Sequence, residues 1–437
     1  MVIQEKKSQR QEFIEKLFSA HLSGSKYGLM RCQNVGLEQI DPSSDLDIAI
    51  DLEDYNGVIL KIISDSLVQN YVIRKRSFMH FIELYFHDKT FLEIDFIWKF
   101  KYKNVTIMSM QEVLNSTYKD HFNVQRVAPE HDAEFTMLFY QLNRSPIPQK
   151  YKSVVNQNLT YLADKYPSLQ NGLDVTPATR QSIISSLNSR FENKGFEWLK
   201  NLKNYVKDSL ESYKDFNTPS LTFSGVDGAG KTTIIDAIER LLTEKYRKKV
   251  VRVRHRPSLI PILSAFVLGK KKAEQKAANT LPRQGHNNSL LSSSFRFFYY
   301  YVDYLLGGLY LYLRHTLQGH VILYDRYYFD FILDAKRSNI NLPSKLIKAL
   351  YSLIKKHDIN LFLYAKPEVI LSRKQELSAE VILKLTTNYK ALFADLQKKH
   401  PQQAYIPIEN IELDESLLLI EALLVERLLA RQKKADT

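Results

Sequence analysis

At 437 residues, 44% of them hydrophobic, the chain is long enough for two or three domains with sizeable cores. Its single cysteine, Cys32, excludes an internal disulfide and a multi-cysteine zinc site. The formal net charge of +13 comes from scattered basic residues, with one compact run at 270–272 and another at 431–434, and no helix-turn-helix, zinc-finger or RNA-binding signature stands out, so no specific nucleic acid is expected as a partner.

In the first hundred residues, the run 44–50 alternates two carboxylates with apolar residues. Alternation along a strand places Asp45 and Asp47 on one face. Two such carboxylates repel unless a cation intervenes, which makes Mg²⁺ the natural partner. A third carboxylate comes from the apolar run 91–97, where Glu93 and Asp95 share a face and Asp95 is the expected ligand. Three carboxylates can hold two ions for an in-line displacement at phosphorus. A solvated acidic strand edge formed by Asp45, Asp47 and Asp51 is the plain alternative.

This Asp-x-Asp with a later Asp is similar to the nucleotidyltransferase fold of polymerase-β-like enzymes and their small bacterial relatives. Tyr27-Gly28-Leu29-Met30-Arg31 resembles the strand entering their active site, and Ser44-Asp45-Leu46-Asp47 matches their Ser-Asp-x-Asp. The resemblance implies an α+β domain over 1–109 and Mg²⁺-dependent nucleotide transfer. It departs where that fold begins a helix with Gly-Ser or Gly-Gly, because this chain has Cys32-Gln33 there and Gly24-Ser25 lies farther upstream.

Residues 110–215 read as a helical connector. Helical runs are expected over 133–142, 151–162 and 196–213, with loops at 146–148 and 167–172.

The run Leu221-Thr-Phe-Ser-Gly225-Val-Asp227-Gly228-Ala229-Gly230-Lys231-Thr232-Thr233 sets a glycine-rich loop between an apolar strand and a helix carrying Ile234, Ile235, Ile238, Leu241 and Leu242. Gly225, Gly228 and Gly230 let successive backbone N–H groups point at phosphate oxygens, with Ala229 between them. Lys231 is expected to reach the β- and γ-phosphates of a nucleoside triphosphate, and Thr232 to ligate Mg²⁺, with Thr233 completing the loop. Asp325 ends a buried-looking strand, where ligands of a parallel sheet gather; it is expected to hold a magnesium-bound water, and Arg326 to neutralise phosphate charge. A surface ion pair is the plain alternative for Asp325 and Arg326.

These motifs resemble the thymidylate kinase family. Gly225, Asp227, Gly228, Gly230, Lys231 and Thr233 match its loop, and Asp325-Arg326-Tyr327 matches its later Asp-Arg-Tyr. The resemblance covers 216–437 and implies a P-loop kinase domain with a doubly wound parallel sheet, ATP as donor with Mg²⁺, and an acceptor held near Asp227. It also implies lid cations, for which Arg373 and Lys374 are the candidates, a solvated helix face being their alternative. The acceptor side departs from the family. His255-Arg256-Pro257 replaces Arg-Glu-Pro, and Asp303-Tyr304 is the nearest counterpart of an absent Asp-Arg pair. The combination is similar to bacterial thymidylate-kinase-like proteins, some linked to surface polysaccharide synthesis, so a nucleotide, a sugar or a glycolipid is the implied acceptor.

The most apolar stretch, 295–313, is interrupted by Arg296 and Asp303 and reads as a buried helix beside the acceptor pocket rather than a membrane span. Weak contact with an anionic membrane surface is compatible with the charge. The amino-terminal residues lack the apolar core of a signal peptide, and with a need for ATP this suggests the cytoplasm. A reading from another class is a nucleotide-sensing interaction protein in which both modules have lost their chemistry.

Overall fold

A computed structural model describes residues 7–32, 35–169, 176–215, 218–260 and 289–433. Gln33 and the basic run 270–272 lie outside the described residues. The chain divides into two compact units, Met1–Ser212 and Tyr213–Thr437.

The first unit is built on a seven-stranded sheet. Its strands are β1 (Tyr27–Met30), β2 (Leu46–Ile50), β3 (Val68–Lys75), β4 (Met79–Phe86) and β5 (Phe91–Ile97). After the hairpin of β6 (Phe100–Tyr102) and β7 (Val105–Met108) come β8 (Tyr118–Lys119) and β9 (Gln125–Arg126). The sheet order is β3-β4-β5-β2-β1-β9-β8, and β6 with β7 forms a separate pair. Strand alternation sorts the side chains. Leu46, Ile48 and Ile50 enter one core with Phe13, Val58 and Ile62 from the helices Gln9–Lys16 and Leu52–Ile63. Met30, Ala49 and Ile97 enter a second core with Phe135, Met137 and Leu138 of Pro129–Leu142 and with Ile183 and Leu187 of Pro177–Ser189. Of the helical runs expected after residue 110, 133–142 and 151–162 therefore share a core with the sheet. Asp51 serves as the N-cap of Leu52–Ile63, accepting from Glu53 N at 3.0 Å.

The second unit holds a five-stranded sheet of β10 (Ser220–Ser224), β11 (Val250–Arg254), β12 (Val321–Asp325), β13 (Ile359–Tyr364) and β14 (Ala404–Glu409). Every pairing is parallel, in the order β11-β12-β10-β13-β14. Parallel strands buried on both faces read as continuous apolar runs, as β12 and β13 do. Leu323 and Leu361 lie in one core with Ile234 and Ile238 of the helix Lys231–Arg240. Tyr324 and Phe362 lie in the other, with Tyr389 and Phe393 of Ala379–Lys399. The strand order reverses around β10, so the loop leaving its carboxyl end sits at the switch point where such sheets place ligands.

The stretch expected as a buried helix forms Leu290–Arg314 but is buried on one face only. Phe297, Tyr301, Tyr304 and Leu311 join the core, whereas Leu291 is 85% and Phe295 67% exposed. Because the sheet offers the helix a single apolar surface, the residues on its far side have no described core to enter. Among the described residues no helix is long and apolar enough to cross a membrane.

Candidate functional site

In the second unit the loop after β10 is shaped by two close approaches. Gly225 has φ 149°, and a Cβ there would stand 2.3 Å from the Leu363 carbonyl oxygen. Gly230 has φ 82°, and its Cβ would stand 2.3 Å from Asn410 Nδ2. Asn410 explains the second approach: its Nδ2 donates to Ala229 O at 2.9 Å, while its Oδ1 accepts from Ser416 Oγ at 3.1 Å. The backbone at these glycines is thus held by distant strands and not by local sequence alone.

Lys231 opens the helix that follows. Its Nζ donates to the carbonyls of Gly225 at 2.9 Å and Val226 at 2.8 Å and lies 4.0 Å from Asp227 Oδ1. Burial, followed by the nearby Arg326 charge, pulls its ammonium down to about 7. Thr232 and Thr233 on the first turn are exposed.

Arg326 follows β12 with φ 73°, its N–H bound to Phe223 O at 2.8 Å. Its Nη2 donates to Asp227 Oδ1 at 2.5 Å, and its Nη1 donates to Asp330 Oδ2 at 2.7 Å and to Gly225 O at 3.2 Å. Tyr389 OH donates to the other oxygen of Asp330 at 2.7 Å. Arg337 Nη1 donates to Asp227 Oδ2 at 2.5 Å. Burial works against ionisation of Asp227, but Arg326, Arg337 and Lys231 outweigh it and hold the carboxyl well below its usual range. Asp325 is half-buried, level with Phe223 and Arg254 in the sheet, with Arg252 Nη2 3.9 Å from its Oδ2. Arg373 ends the helix Pro367–Arg373, and its Nη1 lies 3.8 Å from where a Gly230 Cβ would be. Lys374 pairs with Glu376 at 3.0 Å.

The structure thus gathers Asp227, Lys231, Arg326 and Arg373 around the glycine loop, with Asp325 on the adjoining strand end. Arg337, Asp330 and Asn410 join them, although the sequence reading did not assign them. Asp330 carried a signal, since it lies four residues after Arg326 on a short helical turn. Arg337 and Asn410 carried none, because only the fold brings them near.

The residues expected on the acceptor side separate into two kinds. Asp303 is fully buried and accepts from Arg256 Nη1 at 2.5 Å, from Ser258 N at 3.0 Å and from Ile260 N at 2.8 Å. It anchors the chain after β11. His255 has φ 59°; its N–H donates to Asp325 O at 2.9 Å, and its carbonyl accepts from Tyr304 OH. Its side chain is exposed at the surface, and desolvation by the surrounding protein, followed by the Arg326 charge, lowers the imidazole to about 4.

In the first unit Asp47 and Asp95 stand opposite each other on the parallel pair β2 and β5. Ligand atoms of Asp45, Asp47 and Asp95 all lie within 4.8 Å of one another. Asp95 Oδ1 is shut off from solvent and accepts no hydrogen bond from the described residues. Burial and then the Asp47 charge raise Asp95 well above its usual carboxylate range. An all-oxygen set of this kind suits Mg²⁺. Glu93 belongs elsewhere, 3.7 Å from Arg74.

Sequence reading passed over Arg31 as a participant in this cluster. Its Nε donates to Asp47 Oδ2 at 2.7 Å and its Nη2 to Oδ1. The guanidinium carbon lies 5.7 Å from the Phe135 ring centroid, 5.5 Å from Phe139 and 6.0 Å from Tyr151.

No family model matches the chain, and no curated protein does. Among solved structures, it is similar to a thymidylate kinase from Ehrlichia chaffeensis, at 17% identity and a TM-score of 0.31, over 48% of this chain and 99% of that one.

Proposed function

We propose that the second unit is an ATP-dependent phosphotransferase of the thymidylate-kinase-like class, acting on a nucleotide or on a sugar or glycolipid acceptor. The observation that carries this reading is the convergence of Lys231, Arg326, Arg337 and Arg373 on a glycine loop at the carboxyl edge of a parallel sheet. Phosphoryl transfer needs little covalent chemistry from the protein, and positioning with charge stabilisation supplies most of the rate. In this reading Lys231 leaves the Gly225 and Val226 carbonyls for phosphate oxygens, and Arg326 with Arg373 neutralises the transferred group. Asp227 orients the acceptor while fixing Arg326 and Arg337. Thr232 and Asp325 would hold Mg²⁺, which when bound shields charge between the phosphates.

The same proposal assigns Mg²⁺-dependent nucleotide transfer to Asp45, Asp47 and Asp95 of the first unit, supported by the closeness of the three carboxylates. A nucleotide-sensing interaction protein is the alternative, favoured by Lys231 being satisfied by the loop's own carbonyls.

The test is transfer from γ-labelled ATP with Mg²⁺ into nucleoside monophosphates, sugars and extracted glycolipids, with Lys231→Ala as control. A labelled product lost in the variant supports the kinase and names its acceptor class. ATP binding with no labelled product from any acceptor supports the sensing protein instead.

A further inference from the structure

The Asp45–Asp47–Asp95 cluster already contains a cation, and that cation belongs to the protein. Arg31 leaves β1 in the left-handed region, with φ 56°. Its backbone N–H is bound to the Asp132 carboxylate at 2.9 and 3.0 Å, which fixes where its side chain starts. From there the guanidinium engages both oxygens of Asp47. It is also faced by the rings of Phe135 and Phe139, from the helix Pro129–Leu142, and of Tyr151, from Gln149–Gln157.

A divalent cation bound by the three carboxylates needs an Asp47 oxygen. A guanidinium held on both oxygens of that carboxylate competes for it directly and repels the incoming ion. The rings already face the guanidinium while it holds Asp47, and they can keep it after release, because aromatic faces attract a guanidinium without using a carboxylate. Asp95 Oδ1, buried and without a hydrogen bond among the described residues, is a carboxylate oxygen that Arg31 leaves unused.

We infer that Arg31 is an internal counter-cation of this cluster, and that a divalent ion binds only as the guanidinium gives up Asp47 and is left to the aromatic faces alone. This rests on reading the three carboxylates as a metal site. The contact is autoinhibitory: apparent metal affinity is reduced by the fraction of molecules in which Arg31 has released Asp47.

The experiment is Mn²⁺ binding to the full chain without nucleotide, followed by the loss of the free Mn²⁺ electron paramagnetic signal, for wild type, Arg31→Gln, Asp95→Asn and the double variant. Arg31→Gln is expected to tighten Mn²⁺ binding about tenfold, and Asp95→Asn to weaken it in either background. Unchanged or weaker binding in Arg31→Gln, with Asp95→Asn still weakening it, overturns the counter-cation and leaves the metal site standing. No effect of Asp95→Asn overturns the metal site and the inference together. Should Arg31→Gln fail to fold, Arg31→Lys serves to identify the Arg31 Nε–H resonance in the wild type. A resonance unmoved by saturating Mg²⁺ overturns the inference, and a large shift supports it.

Discussion

Asp227 and Arg326 form an ion pair of 2.5 Å in which the two side chains are only 15% and 6% exposed. They are far apart in sequence, and it closes the glycine loop onto the end of the neighbouring strand. Arg337 takes the other Asp227 oxygen, so one carboxylate orders two guanidiniums beside the loop.

Removing that carboxylate separates positioning from charge. In Asp227→Ala the two arginines stay positive but lose their common tether. ATP affinity is expected to stay within about threefold, because no attraction for phosphate has been removed, while turnover falls about a hundredfold through lost alignment. Separate measurement of nucleotide affinity and single-turnover rate checks this; an equal fall in both would point to a collapsed loop.

On the proposed function, Lys231 makes nucleotide binding a proton-uptake reaction. With its ammonium pulled down to about 7, the free protein is largely neutral there at pH 8. Phosphate oxygens favour the charged form and restore it, so roughly one proton enters with each nucleotide. Calorimetry at pH 8 in buffers of different ionisation enthalpy should give an observed heat that rises with the buffer's ionisation enthalpy. In Lys231→Met that dependence should vanish.

Acid should destabilise the second unit through Asp227 and Asp330, both held below the usual carboxylate range in spite of burial. Because their folded values lie below the unfolded ones, their contribution is complete above the ordinary carboxylate range and is lost as pH falls through the folded values. Asp330→Asn removes one of the two carboxylate charges on Arg326 and should cost about 3 kcal/mol at neutral pH. Urea midpoints at pH 6 and pH 3 should fall less steeply in that variant than in wild type.

Two glycines should respond oppositely to alanine. At Gly225 the added Cβ meets the Leu363 carbonyl at 2.3 Å in a backbone of φ 149°, and the expected cost is about 2 to 4 kcal/mol, with loss of ATP binding. Gly57 lies inside the helix Leu52–Ile63 with nothing within 4 Å of its Cβ position. Gly57→Ala should stabilise the protein by about 0.5 to 1 kcal/mol. Thermal melts of both variants decide it.

Short-range chemistry was legible in the chain. The strand-loop-helix around Gly225 to Lys231 could be read because its geometry depends on residues adjacent in sequence, and the Asp45–Asp47 pair because strand alternation has a period of two. The one-sided burial of Leu290–Arg314 was not legible: tyrosine and leucine occur on both its faces, and only the neighbouring sheet decides which is covered.

Residue order and periodicity were therefore enough for the glycine loop between strand and helix, the paired carboxylates, and the strands that carry them. Tertiary structure alone decided the partners: Arg337 on Asp227, Asn410 behind Ala229, Arg31 on Asp47 and Asp95 beside it. The physical reason is range. Backbone conformation and side-chain periodicity are set within a few residues, whereas a buried charge is satisfied by whichever opposite charge the completed fold brings within hydrogen-bond distance.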